Sequence, residues 1–80
     1  MGGRRRMADT PARYQIRVRG VLDPHWSVWF DGMTITYHAD GDTLLVGPLA
    51  DQAALYGVLH RIRDLGLMLL ALARLPDQGE

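Results

Sequence analysis

An α+β domain built on a four-stranded, mostly antiparallel sheet is the fold class this sequence predicts, and three observations predict it. Two segments, Tyr14–Arg19 and Met33–His38, alternate apolar and polar residues, the period of a strand with one buried face. A third, Asp51–Leu65, carries Leu55, Val58, Leu59, Ile62 and Leu65 at helical spacing, the stripe of an amphipathic helix. Turn and cap residues separate these segments: Gly20, Asp23, Pro24, Gly32, Asp40, Gly41, Gly47, Pro48 and Gly66.

In the first strand Tyr14, Ile16 and Val18 point inward, Gln15, Arg17 and Arg19 point outward, and Gly20 ends it. Asp23 as N-cap, Pro24 at the first helical position and Gly32 past the end frame a helix of about two turns. Trp26, Trp29 and Phe30 share one face of it at i, i+3 and i+4. They are expected to wedge so short a helix into the core, with one indole partly exposed for a subunit contact.

In the second strand Met33, Ile35 and Tyr37 face inward and Thr34, Thr36 and His38 outward. Asp40-Gly41 predicts a two-residue hairpin. The returning strand is Thr43–Val46, with Leu44 and Val46 inward, Leu45 outward and Gly47-Pro48 as its break.

Asp51 is the expected N-cap of the main helix, and Gln52, Tyr56, His60 and Arg63 lie opposite its apolar stripe. Arg61 and Arg63 suit the carbonyl end of the helix, and Gly66 stops it. Gly57 sits inside this helix at a cost of about 1 kcal/mol relative to alanine, which predicts a close approach to the Trp segment. Leu67–Leu75 is apolar in both phases until Arg74, the pattern of a strand buried on both faces, inside the sheet or by a partner chain.

Eighty residues hold one domain, able to bury only roughly 60–65% of its unfolded surface. That excludes a large substrate cavity. The absence of cysteine excludes a disulfide framework, a zinc knuckle and a thiol nucleophile. Every cation is arginine, and the charges are segregated: residues 1–19 carry six arginines against one aspartate (+5), residues 20–80 three arginines against eight acids (−5). Arg4–Arg6 is followed by Met-Ala-Asp-Thr-Pro rather than by an apolar run, so no secretory leader is expected. Leu65–Leu75 is about half the ~20 residues that cross a bilayer. A cytoplasmic protein without membrane contact is expected. Residues 1–12 read as a disordered arm, with Met7 an alternative start to Met1, 13–76 as the domain and 77–80 as a frayed tail.

The element order is βαββαβ, which right-handed crossovers turn into a ferredoxin-like plait with both helices on one face. The alternative is a ββαβ core with the Trp segment as a loop. The open face of the sheet would carry Gln15, Arg17, Arg19, Thr34, Thr36, His38, Thr43, Leu45 and one side of the last strand.

Three stretches, YQIRVRG, HWSVWFDGMTI and GPLADQAALYGVLHRIRDLGL, resemble a group of short bacterial proteins, common in high-GC and filamentous lineages, that carry no assigned activity. The WSxWFxG and DQAALxGxLxRIRDLGL patterns carry the resemblance, which covers about residues 14–75. It implies one small domain and, giving no activity, supplies no catalytic residues to carry over. It also implies histidine at the place of Tyr56 in other members, and so no essential role for Tyr56.

Residues able to do chemistry are sparse. His25, His38 and His60 fall on three different elements without HxH or HxxxH spacing, so no metal site is expected. Ser27, the only serine, has no glycine elbow around it. Asp40 and Asp42 are explained by turn chemistry, Asp51 by capping, and Asp64 by pairing with Arg61 or by solvation at the helix end. No catalytic residue and no cofactor is assigned, and an enzyme is not expected.

Three roles remain. Self-association into a homodimer or higher homo-oligomer would use Leu45, Met68, Leu70 and Leu72. A regulatory sensor would hold an anion or amino-acid-like ligand at Gly47, Ala50, Asp51 and Gln52, beside the free N–H groups of a helix start. A nucleic-acid-associated protein would use Arg4, Arg5, Arg6, Arg17 and Arg19, weakly and with strong salt dependence. The third is the least expected, because the aromatic platforms that RNA-recognition domains carry on such a sheet are missing.

Overall fold

The computed structural model describes residues 11–76. Its elements are β1 (Ala12–Val18), a 3-10 helix (Pro24–Phe30), β2 (Thr34–Tyr37), β3 (Thr43–Leu49), α1 (Gln52–Asp64) and β4 (Leu69–Leu75). The strands form one antiparallel sheet in the order β2-β3-β1-β4, and the class is α+β. The 3-10 helix packs on β2 and on α1, and α1 packs also on β3. Between these segments and the sheet lies the core, with Ile16, Val18, Leu45, Phe30, Val58 and Ile62 at its centre.

β1 has the expected phase: Tyr14, Ile16 and Val18 are buried. β3 has the opposite phase to the one expected. Leu44, Leu45 and Val46 are all apolar, so their alternation carries no information, and cross-strand pairing decides instead. Leu45 stands opposite Ile16 on one side and Ile35 on the other, and it is fully buried. Leu44 and Val46 face the open side, half-buried. Thr43 therefore also turns inward, where its Oγ1 donates to Gly20 O (2.6 Å) and accepts from Leu22 N–H (2.9 Å).

Nor does β3 stop at Gly47. It runs to Leu49, with Pro48 opposite Arg13, beyond the last residue of β3 that β2 reaches, where a proline is tolerated. Gly47 is there for space: a Cβ on it would stand 3.4 Å from Met33 Cα.

The Trp segment is a 3-10 helix rather than a short α-helix. Asp23 Oδ1 accepts the His25 N–H at 3.0 Å, and Asp31 (φ 55°) and Gly32 (φ 74°) close it in the left-handed region. Three residues per turn stack i over i+3 and swing i+4 aside by about a third of a turn. Trp26 and Trp29 therefore meet edge to face, with centroids 5.6 Å apart. Phe30 enters the core with no exposed surface, while Trp29 stays 43% exposed. The wedge is thus Phe30, with Trp26 half-buried beside it.

The β2–β3 hairpin has three loop residues, Ala39–Gly41, rather than two. His38 N–H donates to Asp42 O at 2.8 Å and Gly41 N–H to His38 O at 2.9 Å, with Gly41 at φ 96°. Tyr37, expected inside, is largely exposed at the strand end, and its hydroxyl donates to Leu22 O.

In α1, Asp51 accepts the Ala54 N–H at 2.8 Å. Gly66 N–H donates to Arg63 O and Leu67 N–H to Ile62 O, the paired bonds of a glycine-terminated helix. Leu55, Val58 and Ile62 are buried. Gly57 does not meet the Trp segment: a Cβ there would touch nothing within 4 Å. Gly57→Ala is therefore expected to stabilise the fold by about 0.5–1 kcal/mol, seen as a higher urea midpoint. A lower midpoint would mean that this position needs the bare backbone.

Candidate interaction surface

β4 was expected to be buried on both faces, inside the sheet or by a partner chain. It does not lie inside the sheet: it is an edge strand paired with β1 alone, and Met68, Leu69, Leu70 and Leu72 are 42–54% exposed. The cause is the position of α1, which packs over β3 and the 3-10 helix and reaches β1 through Gln52, whose Nε2 donates to Tyr14 Oη at 3.4 Å. One helix and a two-turn 3-10 segment cover three strands and leave the fourth bare.

Pairing sets the faces of β4. Leu72 stands opposite Ile16 and Arg74 opposite Tyr14, on the helix-covered side, while Ala71, Ala73 and Leu75 stand opposite Arg17, Gln15 and Arg13 on the open side. A bulge at Leu70 brings Leu69 opposite Val18. The outer row of N–H and C=O groups of β4 has no partner strand among the described residues. An edge of this kind is usually guarded by charges, proline or short length. β4 has seven residues and Arg74 as its one charge. Of the expected self-association residues, Met68, Leu70 and Leu72 gather here, and Leu45 lies in the core instead.

The open face holds a charged cluster that turn chemistry alone did not foretell. Arg17 on β1 reaches across to the hairpin, its Nη2 2.5 Å from Asp40 Oδ2 and 2.9 Å from Asp42 Oδ2. Asp42 Oδ1 also accepts the Gly20 N–H, and His38 Nδ1 lies 2.8 Å from Asp40 Oδ1. The Asp42 hydrogen bond is the main influence raising the Arg17 pKa. For Asp40, partial burial pushes upward, but the His38 hydrogen bond and the Arg17 charge outweigh it and hold the carboxyl below its ordinary value. An outward arginine on β1 with two hairpin acids was a usable signal, once the strand register was known.

Of the expected basic contacts, two lie among the described residues. Arg17 is committed to the hairpin, and Arg19 is exposed with its Nη1 3.9 Å from Met68 Sδ. Arg4, Arg5 and Arg6 lie outside the described residues. The expected anion-site residues lie at the end of β3 and the start of α1. Gly47 faces Met33 inside β3, Ala50 is exposed, and Gln52 turns to Tyr14. Asp51 sets its own carboxylate at the start of α1, where it would repel an anion.

Asp64 pairs with Arg63 (3.6 Å) rather than Arg61, which reaches Asp31, just past the end of the 3-10 helix (3.7 Å). His25 stacks on Trp26 and lies beside Asp23, whose pKa is lowered chiefly by the backbone N–H of His25. Among the described residues no three metal-ligating side chains gather, and no helix is long and apolar enough to cross a membrane.

No curated protein and no solved structure matches the chain. A family model does match, over residues 13–73, from the second residue of β1 into β4. The chain thus belongs to the family described as a domain of unknown function, DUF8691.

Proposed function

We propose that this chain is a small non-enzymatic interaction module that forms a homodimer, two copies pairing β4 against β4 antiparallel about a two-fold axis. The observation that carries this reading is an unguarded apolar strand at the edge of the sheet. Pairing would satisfy both free backbone edges and join two four-stranded sheets into one of eight. The opposite edge, β2, has four residues with Thr34 and Thr36 exposed, which favours closure at two copies over a growing filament. A ferredoxin-like plait is part of the reading. Read from the β4 edge the order is β4-β1-β3-β2, and each helical segment links two strands that have a third between them, the split βαβ arrangement.

A seven-residue edge is a small interface, so association is expected in the micromolar range. Sedimentation velocity at about 100 µM should give the mass of two chains. Leu70→Lys, at an exposed position that costs the monomer little, should return it to one. A single-chain mass for the unaltered protein at that concentration overturns the proposal.

A further inference from the structure

The chain has four methionines and no cysteine, so thioethers carry whatever sulfur redox chemistry it can do. Two of them are described, and they differ sharply. Met33 lies in the core with no exposed surface, whereas Met68 is 54% exposed. Met1 and Met7 lie outside the described residues.

Met68 is also fixed in place. Its carbonyl oxygen accepts the Arg19 N–H at 2.9 Å, immediately before β4 begins at Leu69. Its sulfur lies 3.9 Å from Arg19 Nη1, which donates to it. Main chain and side chain together hold the sulfur at the head of the strand whose outer edge has no partner among the described residues. A thioether is only a weak acceptor. One added oxygen turns this flexible apolar side chain into a polar one, beside a guanidinium already placed to donate to it.

We infer that Met68 is an oxidation site through which hydrogen peroxide controls the pairing of β4, an inference that rests on the β4–β4 dimer proposed above. The sulfur lone pair attacks one peroxide oxygen, the O–O bond breaks and an S–O bond forms. The sulfur gives up two electrons, and the second oxygen leaves as water with both peroxide protons. The species oxidised is the free chain, which an association in the micromolar range always supplies. Antiparallel pairing sets the head of one β4 against the tail of the other, so each end of the interface carries one sulfoxide. Covering a polar group there costs its hydration, and polar or charged groups at an edge are what keep sheet edges apart. Oxidation thus supplies the guard that the head of β4 lacks, and sulfoxide reduction removes it.

The full-length protein is treated with dilute hydrogen peroxide, each methionine is followed by peptide mass mapping, and the product is sedimented at about 100 µM. Met68 should gain oxygen about tenfold faster than Met33 or more, and the sedimenting mass should fall from two chains towards one. Methionine sulfoxide reductases should reverse both changes. Met68→Leu keeps an apolar side chain at this exposed position and should stay dimeric in peroxide with the other three methionines present. Met68 reacting no faster than Met33, or a dimer that survives oxidation of Met68 unchanged, overturns this inference and leaves the pairing standing. So does a Met68→Leu chain that dissociates in peroxide, which would place the effect at another methionine. An unaltered chain that is monomeric before peroxide is added overturns both.

Discussion

Phe30→Ala is expected to cost about 3–5 kcal/mol, a large part of the 3–10 kcal/mol or so that a domain of this size holds in total. The ring has no exposed surface and is the one residue of the 3-10 helix that reaches the centre of the core. Its removal leaves a cavity that a rigid, punctuated segment between Asp23 and Gly32 cannot collapse to fill. Trp29→Ala is the matched comparison. Trp29 is larger but 43% exposed, and its loss is expected to cost less than about 1.5 kcal/mol. Urea denaturation followed by far-ultraviolet circular dichroism measures both. Equal losses, or a larger loss at Trp29, would show that the two indoles and not Phe30 hold this segment in place.

Thr43→Val is expected to be nearly as damaging although it keeps the shape of the side chain. The hydroxyl is buried and serves two backbone groups of the β1-to-helix connection, Gly20 O and Leu22 N–H. Replacing it by a methyl leaves both groups short of a partner, at about 1–3 kcal/mol each, or roughly 2–4 kcal/mol together because Gly20 is exposed enough to recruit water. Thr43→Ser keeps the hydroxyl and should cost about 1 kcal/mol for the lost methyl. Amide exchange at Leu22 gives a local readout, expected to accelerate in the valine variant and not in the serine variant. A valine variant as stable as the parent would mean that the hydroxyl contributes no net stability.

The second result depends on the inner face of β3, which is where sequence and tertiary structure part. Alternation is legible only where polar residues mark one phase. β1 has them in Gln15 and Arg17, and its buried face follows directly. Leu44, Leu45 and Val46 have no such marker, so the register was decided by the partners Ile16 and Ile35, residues distant in the chain. That decision moved Leu45 from the proposed interface into the core and turned Thr43 from an outward residue into a buried hydrogen-bonding hub. The Arg17, Asp40 and Asp42 cluster was hidden for the same reason, since the three residues meet only once β1 and the hairpin are paired across β3.

What the sequence determined by itself was the α+β class, the order of six elements, the phase of β1, and both ends of α1, because each follows from local rules: period, caps and glycine stops. The leucines of β4 were also visible there as an unusual excess of apolar surface. Their placement was not. An apolar strand reads the same at the centre of a sheet as at its edge, and only the packing of α1 over β3 and the 3-10 helix left β4 uncovered. The tertiary structure alone turned that excess from core material into an exposed surface, because helix and sheet can cover only as much area as their widths allow.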